Sequence, residues 1–133
     1  MLFVVYCGSW FEHVLGFWEF SQLQKERVLF VKFEDMKQNL HEQVQQIIKF
    51  IDIELSEEQI QRVIDHCSFN SMKANKMTNR DIGWLFDQNV SKFMRKGEVG
   101  DWKNYFTLAQ SELFDTLYEK EMQSVEGLNF RFE

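Results

Sequence analysis

Apolar residues recur with helical period in several stretches of the chain. Ser9 followed by Glu12 has the form of a capping box, and Trp10, Phe11, Val14, Leu15 and Trp18 follow at helical spacing, so a helix is predicted over about 9–21. The next segment, RVLFVKF, is apolar almost without a break over 28–33. A run of that kind suits a strand buried on both faces of a parallel sheet. Glu34, Asp35 and Asn39 end it, and Leu40, Val44, Ile47, Ile48 and Ile51 form a stripe that predicts a helix over about 38–52. Ser56 and Gln59 make a second capping box, with Glu57 and Glu58 placed to favour the helix dipole and Ile60, Val63 and Ile64 on the buried side, which predicts a helix over 57–66. A short helix is predicted at 69–74. No period is sustained over 76–106, which reads mostly as loop. Thr107 and Gln110 open a last helix, about 108–123, buried through Leu113, Phe114, Leu117 and Tyr118.

One parallel-type strand cannot satisfy its own backbone groups. The pattern therefore predicts a mostly helical chain with one clear strand, whose sheet lies largely elsewhere; the opening apolar residues 2–6 offer a weak substitute strand. Proline is absent, so turns rely on Gly, Asn and Asp. At 133 residues with 44% hydrophobic and 27% charged residues, the chain is one domain or part of one and is not a disordered polar segment.

The formal net charge of −6 argues against nucleic acid as a partner, which needs a positive field. An anion would have to be held by a local basic cluster, and Lys92, Arg95, Lys96 and Lys103 fall within twelve positions. The two cysteines, Cys7 and Cys67, form no metal-type spacing and read as reduced, buried thiols. The apolar start is interrupted by Glu12 and His13, so it lacks the unbroken run of a membrane span, and without a basic leader or small-residue cleavage site it reads as a poor signal peptide; a cytoplasmic chain is expected.

The most informative string is Phe93-Met94-Arg95-Lys96-Gly97-Glu98-Val99-Gly100-Asp101-Trp102-Lys103-Asn104. Arg offers a planar fork of donors to a phosphate, Lys adds a compact charge, and Gly97 lets the main chain approach an anion. On residues alone this is a phosphate clasp or a solvated basic loop.

The string resembles the C-terminal signature of the cytosolic sulfotransferases. Gly8-Ser9-Trp10-Phe11-Glu12-His13-Val14, Phe33-Glu34-Asp35-Met36-Lys37, the stretch from His66 to Met72, and Met77-Thr78-Asn79 resemble further segments of that family in the same order. The resemblance implies an α/β, P-loop-like sulfotransferase fold of which residues 1–133 are a C-terminal portion. It implies transfer of a sulfuryl group from 3′-phosphoadenosine 5′-phosphosulfate to a hydroxyl or amine of a small acceptor, with no metal. By the same resemblance Arg95, Lys96 and Gly97 bind the 3′-phosphate, Phe93 and Met94 lie beside it, and Cys67, Ser68, Phe69 and Met72 line the adenine side. Phe33 stands where the family usually has tyrosine, and Cys67 where threonine is commoner; each replacement weakens or removes a polar contact. Lys103, Thr107, Leu108 and Glu112 resemble the family's short dimer motif, which implies a homodimer.

The family's 5′-phosphosulfate loop, its catalytic histidine and the segment holding the other side of the 3′-phosphate would precede Gly8, and no counterpart is found in the chain. His13, His41 and His66 read as structural, as does the pair Glu34-Asp35 at a helix start. The expectation is a sulfotransferase-family chain without a catalytic residue of its own, inactive in isolation; the alternative is a non-catalytic fragment or isoform that keeps part of the nucleotide site and the dimer contact.

Overall fold

The computed structural model of the chain describes residues 4–5, 8–79, 90 and 92–132. Six helices carry most of that structure: α1 Trp10–Leu23, α2 Phe33–Gln38, α3 Leu40–Phe50, α4 Glu57–His66, α5 Phe69–Ala74 and α6 Leu108–Met122. A 3₁₀-helix spans Asp101–Asn104. The starts of α1, α4 and α6 are set by the predicted capping boxes, on Ser9, Ser56 and Thr107. The helix expected at 38–52 forms as α3, two residues shorter at each end, and α2 precedes it where no helix was expected. Asn39 takes non-helical dihedrals, ends α2, and accepts a hydrogen bond from the Glu42 N–H to start α3.

The strand expected at 28–33 is not formed as a ladder. Residues 28–32 carry no regular structure, Lys32 is extended (φ −92°, ψ 141°), and Phe33 already opens α2. A strand exists only where a neighbour accepts and donates its hydrogen bonds, and the one ladder among the described residues lies elsewhere. There β1 (Val4–Val5) pairs antiparallel with β2 (Gly8–Ser9). The opening segment thus does supply a strand, two residues long, paired to the residues that cap α1. Of the long stretch 76–106, residues 80–89 and 91 lie outside the described residues; the remainder is turns, irregular backbone and the 3₁₀-helix.

The core forms where α1 meets α6 and the segment that follows it. Phe11 and Val14 of α1 pack with Met122 and Leu128, joined by Leu15, Trp18, Phe30, Phe114, Leu117, Tyr118, Val125 and Phe130. Phe114, Tyr118 and Met122 are four apart, so one stripe of α6 faces α1. Leu113 falls off that stripe and is 51% exposed, contrary to its predicted burial. Trp18 and Phe30 meet edge to face at 5.4 Å, which anchors residues 28–32 on the core although they make no sheet. A second apolar contact joins α3 to α4, with Val44 and Ile60 buried. Phe17, Phe20 and Leu23, on the side of α1 away from the core, are exposed.

Leu128→Ala should destabilise the chain by about 2–5 kcal/mol, since it empties a core site where the side chain is 3% exposed. Leu23→Ala, at 79% exposure, should change stability by less than about 0.5 kcal/mol. Urea unfolding followed by circular dichroism separates the two, and equal effects would contradict this core.

Candidate functional site

The site is built from two segments, residues 93–101 and the junction of α4 with α5. The α4–α5 junction turns at Cys67, whose N–H closes α4 on the Val63 carbonyl. Ser68 then caps α5, its hydroxyl accepting from the Ser71 N–H at 3.3 Å. This turn puts Phe69 against the loop. A Cβ added at Gly97 would stand 2.5 Å from Cδ2 of the Phe69 ring, so main chain and ring are in direct contact there. Gly97 also has φ +63°, a left-handed backbone that disfavours any side chain. Gly100, at φ +82°, turns the chain into the 3₁₀-helix. Both glycines of the string are thus required by geometry.

The 3₁₀-helix starts on Asp101, which is 8% exposed. Lys96 Nζ donates to its Oδ1 at 2.6 Å and Asn104 Nδ2 donates to the same oxygen at 2.9 Å. Arg95 Nη2 lies 3.3 Å from Oδ2. The hydrogen bond from Lys96, then that from Asn104, holds the Asp101 carboxyl below the usual carboxylate range against the opposing effect of burial. The same bond to Asp101 raises the Lys96 ammonium above its ordinary value. The guanidinium of Arg95 also sits 4.6 Å from the centre of the Tyr105 ring. About half of each cation's side chain remains exposed, so both have donors available to an external anion.

The structure therefore brings together Phe69, Arg95, Lys96 and Gly97, with Cys67 and Ser68 at the turn that delivers Phe69. Met72 and Met94 are half-buried, and Phe93 is 46% exposed. Phe33 stands apart at the start of α2, 49% exposed. Its neighbours Glu34, Lys37 and Gln38 face Val99 and Arg131 across a cavity of about 330 Å³. Cys67 was expected to be buried and is exposed, because a helix-ending turn faces solvent; Cys7 lies outside the described residues.

Three residues escaped the sequence reading. Asp101 and Tyr105 hold Arg95 and Lys96, and Lys73 lies 5.6 Å over the Phe69 ring. The one signal was an acid within reach of two adjacent cations. The remaining candidates keep structural partners. Burial works against ionisation of Asp35, but hydrogen bonds from Lys32 and Arg131 hold its carboxyl below its usual range. His41 Nε2 meets Glu57 Oε1 at 2.5 Å, a pair the sequence reading missed because sixteen residues separate them, and His13 packs on Phe17 at 4.8 Å. Thr107 of the dimer motif caps α6, while Leu108 is 76% exposed beside it. Among the described residues no cluster of His, Cys, Asp and Glu is placed to hold a metal ion, and no helix is long and apolar enough to cross a membrane.

Gly97→Ala should lower stability by about 1–2 kcal/mol from the left-handed backbone alone, and should displace the Phe69 ring it would strike. Phe69 side-chain resonances that do not move in this variant would contradict the contact.

The chain is similar to known proteins over most of its length. The model of the sulfotransferase domain matches residues 2–126. Sulfotransferase 1C2 of Rattus norvegicus is 43% identical over 128 residues, 95% of this chain and 42% of the relative. Sulfotransferase 1E1 of Bos taurus is 44% identical over 126 residues, 93% of this chain and 42% of the relative. The chain thus spans about two-fifths of the length of the curated relatives it matches. Among solved structures, a mouse sulfotransferase complexed with PAP superposes with a TM-score of 0.75 at 33% identity, over 92% of this chain and 44% of that one. A retinol dehydratase in complex with retinol and PAP gives 0.78 at 30% identity, over 92% of this chain and 36% of that one. With a family model over nearly the whole chain and relatives above 40% identity, the chain belongs to the sulfotransferase family.

Proposed function

We propose that this chain forms the 3′-phosphate side of the nucleotide site in a sulfotransferase that uses 3′-phosphoadenosine 5′-phosphosulfate and a small phenol, alcohol or amine. One observation carries the reading: the Phe69 ring lies against Gly97, which sets an aromatic face beside two cations at a loop whose main chain is bare of side chain. Arg95 presents its fork to the phosphate, Lys96 adds charge, and Gly97 leaves room for main-chain approach. Phe69 offers its face to the adenine, with Cys67, Ser68 and Met72 along that side; Phe93 and Met94 flank the phosphate, and Phe33 completes the adenine side. The nucleotide, when bound, supplies the activated sulfuryl group. PAP bound to two structural relatives supports this nucleotide class, and retinol bound to one supports a small apolar acceptor.

The chain performs no transfer alone in this reading, because the acceptor's proton needs a base. His41 is paired with Glu57, His13 packs on Phe17, and His66 lies in the last turn of α4, whose dipole it suits. The alternative, a non-catalytic piece keeping half of a nucleotide site, draws support from the two-fifths of its relatives that the chain spans. A cytoplasmic location and a homodimer through Lys103, Thr107, Leu108 and Glu112 belong to the same proposal. The exposed Leu108 supports the contact.

With labelled donor and a panel of phenols, alcohols and amines, the purified chain should turn over at least about 10²-fold more slowly than complete rat Sulfotransferase 1C2. Calorimetry with the 3′,5′-bisphosphate of adenosine should show Arg95→Ala weakening binding by about 1.5–3 kcal/mol, with His41→Ala nearly silent. Turnover within about tenfold of the complete enzyme, or equal losses at the two positions, would overturn the assignment.

Reversing the charge of Lys103 should weaken self-association, and reversing Lys103 and Glu112 together should partly restore it, as reciprocal pairing about a two-fold axis requires. A monomer in sedimentation, indifferent to both changes, would refute the contact.

A further inference from the structure

Arg95 and Lys96 are adjacent in sequence, and adjacent side chains do not share a face in a helix or in extended chain. Yet both reach one carboxylate from opposite oxygens: Lys96 Nζ at 2.6 Å from Oδ1 of Asp101 and Arg95 Nη2 at 3.3 Å from Oδ2. Asp101 is buried, fixed by the turn at Gly100 and held a second time by Asn104. Its Oδ2 accepts no hydrogen bond, so Arg95 is drawn to it by charge, leaving its donors unspent on the carboxylate. The Tyr105 ring beneath the guanidinium limits where that fork can point.

We infer that Asp101 is a positioning residue: it gathers Arg95 and Lys96 onto one side of the loop so that their remaining donors converge on a single phosphate, without touching that phosphate itself. The inference rests on the proposed reading of these cations as the 3′-phosphate site. Long cationic side chains lose rotamer freedom when a ligand immobilises them. Asp101 imposes that loss before the ligand arrives. The trio keeps a net charge of about +1, counting one charge per group, so the anion still meets a positive field.

Positioning and simple electrostatics predict opposite signs. By Coulomb's law alone, neutralising a carboxylate beside the site would tighten anion binding. If Asp101 positions the cations, Asp101→Asn should weaken binding of adenosine 3′,5′-bisphosphate by about tenfold or more, the size of one lost charge-assisted contact. Tighter or unchanged binding would overturn the inference. A second readout is independent of the nucleotide. With ¹³C-methylated lysines followed by NMR, the Lys96 amine should titrate at lower pH in Asp101→Asn than in the parent; Glu98 and Tyr105, the other groups acting on Lys96, are unchanged. If the parent chain fails to bind the bisphosphate, the reading of the site fails, and an unmoved Lys96 titration then sinks the inference on its own. If Asp101→Asn does not fold, the parent decides: Lys96 should acylate more slowly than the exposed Lys92, and equal rates would refute the clamp.

Discussion

A carboxylate nearly removed from water must have its charge answered, and in this chain that requirement organises the loop. Asp101 is answered at Oδ1 by hydrogen bonds from Lys96 and Asn104 and at Oδ2 by the charge of Arg95, drawn from both sides of the Gly100 turn. Because Asp101 begins the 3₁₀-helix, the same interaction fixes where that helix starts. One residue later the Trp102 indole donates to the Phe132 carbonyl at 3.0 Å and ties the loop to the C-terminal segment. Arg131 in that segment binds Asp35 and Gln38 of α2, while Lys32 donates to the Asn129 carbonyl at 2.9 Å. A polar framework thus runs from the loop to α2 through a segment that also supplies Leu128 to the core.

The apolar contacts reach the same loop from the other direction. α3 packs on α4, α4 leads through the Cys67 turn into α5, and α5 delivers Phe69 to Gly97. Two constraints of different physical origin, charge on Asp101 and close packing on Phe69, therefore bracket residues 95–97. A loop held at both ends can present donors in a set direction, whereas a free basic loop loses entropy on each contact.

The same structure leaves large apolar side chains exposed on α1 and a strand-like segment without a ladder. Residues 28–32 are held by Phe30 on the core and by Lys32 on Asn129, which places them without sheet hydrogen bonds. Relatives more than twice as long as this chain share its architecture over nearly all of its length.

Helix starts were legible in the sequence because a cap is a local event: Ser9 with Glu12, Ser56 with Gln59 and Thr107 with Gln110 each decide a boundary within four residues. The basic string stood out for the same reason, since Arg95, Lys96 and Gly97 are contiguous and chemically distinctive. α2 was not legible, because its six residues are too few to show a helical period before Asn39 starts α3. The strand at 28–33 was misplaced because apolarity marks a segment that is able to pair, and pairing depends on a neighbour that local sequence does not contain. Asp101 was visible as a letter in the string but silent as a partner. Its burial, the convergence of two cations upon it and the meeting of Phe69 with Gly97 across twenty-eight residues arise only when α5, the loop and the C-terminal segment are packed together, because contact between distant residues is decided by the fold as a whole.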